Sequence, residues 1–275
     1  MLTRFAPAPT GYLHLGHVLN AHYVWTLARE RGAEVLLRIE DHDRERCRPE
    51  YEAALLDDLD WLGFVPDAGR FPVARQSDRP ERYEAALQRL QASQHLYGCD
   101  CSRKIIGSER YGNTCRNRGL GTGPRLGLRV EIGPGAERFP EGAGGERDET
   151  PAQFGDLLVR DRDGHWTYQF SVVVDDEQDG VNLVIRGADL AGSTARQIRL
   201  ARMLGRSQPA QYFHHPLLLD PSGRKLSKSD GDAGVREMRA AGISAPEVIG
   251  RAAAAVGLRD SPHPLMAMDV ALLFG

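Results

Sequence analysis

Two short motifs contain side chains that could bind a polyphosphate. The first is His14-Leu15-Gly16-His17, which follows a Pro/Gly turn and begins a predicted helix. Free N–H groups and the positive end of the helix dipole at such a start favour phosphate, and Gly16 lets a ligand approach the backbone closely. Alone, the two histidines could equally hold a metal ion or lie in solvent at a helix cap.

The second motif is Lys225-Leu226-Ser227-Lys228-Ser229, which follows a predicted strand and a turn. Lysine supplies a compact ammonium group, and two of them beside hydroxyl groups can gather around a triphosphate. Alone, this segment could be a solvated basic loop. The order and separation of the two motifs fit one nucleotide site at the carboxyl ends of parallel strands.

Three cysteines, Cys99, Cys101 and Cys115, form a third cluster. Three thiolates and one oxygen ligand can bind zinc with four-coordinate geometry. The alternative is a set of free or buried thiols, because disulfides are unusual in a reducing compartment. Cys47 lies apart among arginines and receives no role.

The elements that must position these groups alternate between strands and helices. We predict strands at 2–6, 35–39 and 181–185, and a further strand or strand end at 215–219. We predict helices at 17–31, 50–62, 80–96 and 193–204, with a helical segment at about 233–257. Continuous apolar strands separated by helices indicate a parallel α/β sheet. The segment from Gly98 to about Glu149 is rich in Gly, Pro, Arg and Cys, which predicts an insertion with short strands.

Composition limits the function further. The chain has 275 residues, 41% of them hydrophobic, with a net charge of −3. Nucleic-acid binding would therefore need a local basic face. No apolar run reaches the ~18 residues of a membrane span. No secretory signal is visible at the N-terminus, so the expected location is the cytoplasm.

These motifs together resemble a known family. His14–His17 resembles the HIGH signature and Lys225–Ser229 the KMSKS signature of class I aminoacyl-tRNA synthetases. Further segments are similar to the glutamyl branch of that family: they are Arg4–Gly11, Arg38–Asp41, Asp175-Asp176 and Val184–Leu190. The resemblance implies a doubly wound, Rossmann-like parallel sheet formed by residues 1–97 and 150–230. It also implies a zinc-containing insertion at 98–149 and a short helical tail at 231–275.

The 46 residues after Ser229 are too few for an anticodon-binding domain, so the chain is most similar to the truncated glutamyl-queuosine tRNA(Asp) synthetases. This resemblance implies that ATP and Mg²⁺ activate L-glutamate without tRNA. The glutamyl group would then pass to queuosine in the anticodon of tRNA(Asp). The implied zinc ligands are Cys99, Cys101, Tyr111 and Cys115.

The resemblance also implies roles for single residues. Expected catalytic residues are His14, His17, Lys225 and Lys228; expected ATP-binding residues are His14, Gly16, His17 and Lys228. Expected glutamate-binding residues are Arg4, Ala8, Glu40, Tyr168 and Arg186. Arginines pair with carboxylates, Glu40 can hold the ammonium group, and Tyr168 can add a hydroxyl contact. Family members often have Ser at the position of Ala8, so one contact to the substrate is expected to be missing.

RNA contacts are expected from the insertion around 99–147 and from the tail after 230, with Arg103, Arg110, Arg116 and Arg118 as candidates for phosphate contacts. Alternatively, these arginines lie in ordinary solvated loops. Three other functions remain open from the sequence. They are a glutamyl-tRNA synthetase fragment that charges the 3′ end of tRNA(Glu), a small-molecule nucleotidyltransferase of the same fold, and a non-catalytic protein that kept the fold.

Overall fold

The computed structural model describes residues 1–69, 72–93, 96–102, 110–219, 234–258 and 260–267. Its helices are α1 (Leu15–Glu30), α2 (Pro49–Leu62), α3 (Pro80–Ser93), α4 (Tyr168–Gln178), α5 (Thr194–Met203), α6 (Val235–Ala240) and α7 (Ala245–Ala254). Its strands are β1 (Leu2–Phe5), β2 (Glu34–Ile39), β3 (Ala74–Arg75), β4 (Leu96–Cys99), β5 (Gly127–Val130), β6 (Glu137–Glu141), β7 (Gly145–Glu149), β8 (Leu157–Arg160), β9 (Leu183–Gly187) and β10 (Gln211–His215).

The chain divides into two compact units. The first unit contains Met1–Arg75, Leu183–Ala191 and Phe213–Gly275, and the second contains Gln76–Asn182 and Gly192–Tyr212. The second unit includes the predicted insertion at 98–149 and extends well beyond it.

Parallel strands form the centre of the first unit. β1 pairs with β2 and β2 with β3, with Arg4 opposite Leu36 and Arg38 opposite Ala74. The two strands β1 and β2 are joined by α1, as a parallel connection requires. Apolar residues such as Phe5, Val24, Leu37 and Leu59 form its hydrophobic core. The predicted parallel α/β class is thus confirmed for this unit.

Local sequence explains the ends of α2. Pro49 is the first helical residue, where its missing N–H costs nothing. Gly63 ends the helix with a φ of 81°, a left-handed conformation that glycine adopts without strain.

The second unit has an antiparallel sheet in the order β4-β5-β8 and a hairpin of β6 and β7. Helices α3, α4 and α5 pack on a separate apolar core that includes Leu90, Val130, Phe170 and Leu200. Glu137 on β6 accepts hydrogen bonds from Arg199 at 2.5 Å and from Arg202 at 2.7 Å, which fixes the hairpin to α5.

Two features differ from the sequence predictions. Of the strand or strand end predicted at 215–219, only the strand end is found, because β10 occupies Gln211–His215 and ends before Pro216, which has no N–H to donate to a ladder. Helix α4 at Tyr168–Gln178 was not predicted from the sequence. Among the described residues, no helix is long and apolar enough to cross a membrane.

Candidate functional site

The two histidines of the first motif cap α1. His14 is the N-cap residue, and its Nδ1 accepts a hydrogen bond from the Gly16 N–H at 3.0 Å. The Nδ1 of His17 accepts one from the His14 N–H at 3.2 Å. This is the reciprocal arrangement of a capping box, with imidazoles in place of the usual hydroxyl and carboxyl groups.

The cap determines where the proton of each ring lies. A neutral imidazole has one donor nitrogen and one acceptor nitrogen. Because both Nδ1 atoms accept, the proton of each neutral ring is on Nε2. The ring centroids are 4.0 Å apart, and both side chains are partly exposed. The pair therefore presents N–H donors beside a helix start, which suits a phosphate group.

Gly16 keeps the His14 ring in place. A Cβ at this position would lie 2.9 Å from Cε1 and 3.0 Å from Nδ1 of His14. Any side chain here would displace the ring and break the cap. This requirement adds to the predicted close approach of a nucleotide to the Gly16 backbone.

Three predicted glutamate-binding residues lie in the first unit and are almost fully buried. Arg4 on β1 is 4% exposed, Glu40 just after β2 is 5% exposed, and Arg186 on β9 is 4% exposed. Nη1 of Arg4 donates to the backbone oxygen of Ile185 on β9 at 3.4 Å, so β1 and β9 lie side by side. Two buried cations and one buried anion near strand ends are the groups that a dicarboxylic amino acid would need.

The sequence analysis did not predict the hydrogen-bond partners of Glu40 and Arg186. Arg38 on β2 is 0% exposed, and its Nη2 donates to Oε1 of Glu40 at 3.1 Å. His214 accepts a hydrogen bond from Nε of Arg186 at 3.2 Å. The signal for Arg38 was visible as the one charged residue in an otherwise apolar strand.

Ala8 and Tyr168 occupy different surroundings. Ala8 lies in the turn after β1, where its carbonyl accepts from the Thr10 N–H at 2.8 Å. Tyr168 begins α4 in the second unit and packs against that unit's apolar core. Lys225 and Lys228, with the rest of their motif, lie outside the described residues.

The predicted cysteine cluster is assembled in the second unit. The Sγ atoms of Cys99, Cys101 and Cys115 all lie within 4.8 Å of one another. Sulfurs about 2.3 Å from a tetrahedral zinc ion would be about 3.8 Å apart, so the cluster fits that ion. The 3.5 Å between the sulfurs of Cys101 and Cys115 is far too long for a disulfide.

Tyr111 lies beside these sulfurs. Its hydroxyl group is 3.6 Å from Sγ of Cys99 and accepts a hydrogen bond from the Cys115 N–H at 3.0 Å. Burial and the neighbouring thiols raise the pKa of Tyr111 to about 12. Burial alone would raise the pKa of Cys115, but hydrogen bonds from Tyr111 and the Asp100 backbone bring it down to about 7. The cluster thus combines three thiols and one phenol, the predicted ligand set.

Comparison with known proteins decides the family. The model of the family described as "tRNA synthetases class I (E and Q), catalytic domain" matches residues 1–121 and 128–257. A glutamyl-Q tRNA(Asp) synthetase of Symbiobacterium thermophilum is 40% identical over 98% of this chain and 91% of its own length. A glutamyl-Q tRNA(Asp) synthetase of Rhodobacter capsulatus is 38% identical over 90% of this chain and 98% of its own length. The chain belongs to the glutamyl-Q tRNA(Asp) synthetase family.

Solved structures agree with this family. A glutamate tRNA ligase from Elizabethkingia meningosepticum, in complex with its amino acid, matches with a TM-score of 0.79 and 25% identity. The match covers 100% of this chain and 64% of the ligase. A putative arginyl tRNA synthetase from Campylobacter jejuni, at 13% identity and a TM-score of 0.52, shares the fold alone.

A buried carboxylate supports the cysteine cluster of this family member. Asp156 is 1% exposed and accepts hydrogen bonds from Tyr97 at 2.6 Å and from Arg116 at 2.7 and 2.8 Å. Its own N–H donates to the side chain of Asn113, in the loop between Tyr111 and Cys115, at 2.8 Å. Although burial opposes ionisation, Arg116 and Tyr97 lower the pKa of Asp156. No sequence pattern indicated a role for this residue.

The arginines that were expected to contact RNA have different environments. Arg116 is bound to Asp156 and Glu131, and Arg118 forms a bidentate pair with Asp100 at 2.6 and 2.9 Å. These carboxylates already neutralise both guanidinium groups. Arg110 is exposed, and Arg103 lies outside the described residues.

Proposed function

We propose that this chain activates L-glutamate with ATP, without tRNA, and transfers the glutamyl group to the queuosine base of tRNA(Asp). The observation that carries this proposal is the similarity to glutamyl-Q tRNA(Asp) synthetases over 98% of the chain. In the first step, the α-carboxylate of glutamate attacks the α-phosphorus of ATP, and pyrophosphate leaves. In the second, a hydroxyl group of queuosine attacks the adenylate carbonyl, and AMP leaves.

The residues have distinct roles in this proposal. His14 and His17 donate hydrogen bonds from their Nε2–H groups to the ATP phosphates and stabilise the charge that develops there. Lys225 and Lys228 act on the leaving pyrophosphate, and Mg²⁺ accompanies the ATP. The reciprocal cap of the His pair supports this role, because it holds both rings before the substrate binds.

The buried charges of the first unit would select the amino acid. Arg4 and Arg186 bind carboxylate groups of glutamate, and Glu40 binds its ammonium group. Ala8 provides no hydroxyl contact. The near-complete burial of Arg4, Glu40 and Arg186 supports this assignment, since buried charges interact strongly with a ligand that excludes water.

We further propose a zinc ion held by Cys99, Cys101, Tyr111 and Cys115. Its chemistry would be structural: it would cross-link the end of β4 to the loop before Cys115. The compact arrangement of the three sulfurs and the adjacent phenol supports this site. Elemental analysis of the purified protein tests it, and less than about 0.2 zinc per chain would contradict it.

Two further predictions, one on the architecture of the sheet and one on the cellular location, extend the proposal. The parallel strands of the first unit are consistent with a doubly wound sheet. A cytoplasmic location follows from the need for ATP and tRNA.

Glutamate-dependent exchange of pyrophosphate into ATP tests the first step. We expect exchange with L-glutamate in the absence of tRNA, and none with aspartate or glutamine. A small-molecule nucleotidyltransferase would respond to another substrate, and a non-catalytic protein would show no exchange with any.

Transfer of radiolabelled glutamate to two tRNA pools tests the second step. One pool comes from cells that make queuosine and the other from cells that do not. Label on the first pool alone is expected. The likeness to a glutamate tRNA ligase favours one other function, charging of the 3′ end, and this would label both pools.

A further inference from the structure

Arg196 is a partly buried cation in the first turn of α5. Its Nε atom is buried without a hydrogen bond, and the guanidinium makes no ion pair within the described ranges. The guanidinium carbon lies 4.8 Å from the centroid of the Phe154 ring. Burial lowers the pKa of Arg196, and the positive charge of Arg129 lowers it further. Among the residues that the structure describes, no carboxylate therefore neutralises the charge of Arg196.

Arg129 on β5 is likewise a buried cation whose Nε atom has no hydrogen-bond partner. It is only 5% exposed, and its guanidinium stacks 3.6 Å from the centroid of the Tyr111 ring. Nη1 donates to the backbone oxygen of Asp156 at 2.6 Å, but Nε is buried without a partner. In the described part of the chain Arg129 forms no salt bridge, because the Asp156 carboxylate is bound to Arg116.

Neighbouring arginines show that this arrangement is not general for the unit. Arg199 and Arg202, on the same helix as Arg196, both bind Glu137. Arg116 binds Asp156 and Glu131. Burial of a cation is costly unless an anion or several acceptors offset it, and two such cations repel each other. Cation–π contacts with Phe154 and Tyr111 offset only part of this cost.

We propose that Arg129 and Arg196 form a binding site for a phosphate group, and that the phosphate belongs to the backbone of the tRNA. The planar guanidinium group offers paired N–H donors that match two oxygens of a phosphate. The aromatic rings of Tyr111 and Phe154 hold the two planes before the ligand arrives. The choice of RNA as the source rests on the proposed function, whereas the anion site itself rests on the unpaired charges.

The test is Arg196→Gln in the full-length protein, with Arg202→Gln as the matched control. Both variants remove one arginine from α5, but Glu137 already neutralises Arg202. We expect Arg196→Gln to weaken binding of tRNA(Asp) about 5-fold and to reduce the slope of log affinity against log salt by about 0.7–0.9, the value for one lost phosphate contact. Arg196→Lys should keep most of that slope.

A second measurement separates the two sources of phosphate. The melting temperature is measured in 20 mM inorganic phosphate and in chloride of equal ionic strength. If phosphate stabilises wild type but not Arg196→Gln, while tRNA binding is the same for both, the ligand is free phosphate and the RNA assignment is wrong. If neither measurement distinguishes Arg196→Gln from Arg202→Gln, the anion site does not exist.

Failure of the proposed function is distinguishable from these outcomes. Glutamate-dependent pyrophosphate exchange needs no tRNA, so it should be the same in wild type and Arg196→Gln. Absence of exchange in wild type would contradict the proposed function and leave the tRNA and phosphate measurements to decide the anion site.

Discussion

The His14 ring has two separable roles: Nδ1 caps α1, and Nε2 carries the proton that a phosphate would accept. We predict that His14→Asn keeps the cap, because asparagine is among the best N-cap residues. It should lower the rate of pyrophosphate exchange about 100-fold, since one donor to the transition state is lost. Thermal melting should be nearly unchanged.

His14→Ala is the control for the cap. It should lose the same activity and also about 1 kcal/mol of stability. If His14→Asn exchanges pyrophosphate at more than a third of the wild-type rate, the ring does not act on the phosphates.

The buried pair of Arg38 and Glu40 gives a second prediction for single residues. Arg38→Met leaves the Glu40 carboxylate buried without its cation, which should cost about 3 kcal/mol in the free energy of unfolding. Glu40→Gln should mainly raise the KM for glutamate, because the ammonium group loses its charged partner. In the double variant, the stability loss should be clearly smaller than the sum of the two single losses, as for residues in contact. Urea unfolding and exchange kinetics measure both quantities, and additive losses would show that the pair is not coupled.

Sequence patterns found some of these residues and not others, for physical reasons. Arg4, Glu40 and Arg186 are charged residues at strand ends, where ligands of parallel sheets bind. Arg38 lies inside a strand, and only the structure shows that it reaches Glu40, two residues along and just after the strand end. The role of Asp156 could not be predicted from local sequence, because its hydrogen-bond partners lie up to 59 positions away in the chain.

At the scale of elements, local rules predicted α1, α2 and β2 within a few residues. Helix α1 begins at Leu15 instead of His17, because the His14 cap lies two residues earlier than the apolar pattern suggests. Helix α4 contains the β-branched run Val172, Val173 and Val174, which has low helix propensity. Burial of those three side chains in the second core overrides that propensity, and no local pattern could reveal it.

Helix α2 carries the clearest pH-dependent group. Asp58 is 1% exposed, and burial first, then the charge of Asp57, raises its pKa to about 6. Its Oδ1 is 4.0 Å from Nη1 of Arg239 on α6, and its Oδ2 is buried without a hydrogen bond. Because the folded pKa lies above the unfolded value of about 3.9, the neutral carboxyl group is favoured in the folded state. Stability is therefore lost as the pH rises through about 6.

We predict that Asp58→Asn removes this loss. The difference in the free energy of unfolding between the variant and wild type should be about 1 kcal/mol larger at pH 7.5 than at pH 5. This follows because each unit of pKa difference corresponds to about 1.4 kcal/mol. Urea unfolding at both values measures the gain. The neighbouring Asp57 is exposed and paired with Arg239, so Asp57→Asn is the control and should show no such gain. An equal gain at the two pH values would mean that Asp58 does not titrate between them.

At the scale of the whole molecule, the two units have separate hydrophobic cores, one around β1, β2 and α1 and the other around α3, α4 and β5. The sequence suggested a sheet with a small insertion, because the Gly- and Cys-rich segment ends near 149. The structure adds Leu157–Arg160 to the sheet of that segment, through long-range pairing that composition does not encode. The cysteine cluster thus belongs to a larger folded unit than its local sequence indicated.

This organisation predicts how the protein would respond to removal of the proposed zinc ion. The cluster connects the end of β4 with the loop that holds Tyr111 and Cys115, so its loss should free that loop and the edge of the β4-β5-β8 sheet. We expect chelation, or Cys99→Ser with Cys101→Ser, to increase amide hydrogen exchange in residues 96–102 and 110–130. Protection in β1, β2 and α1 should stay unchanged, because local opening follows cooperative units with their own cores. Cys47→Ser, which alters a thiol remote in sequence from the cluster, is the matched control. An increase of exchange in β1 and β2 as large as that around Cys115 would show that the two cores unfold together and that the metal supports the whole chain.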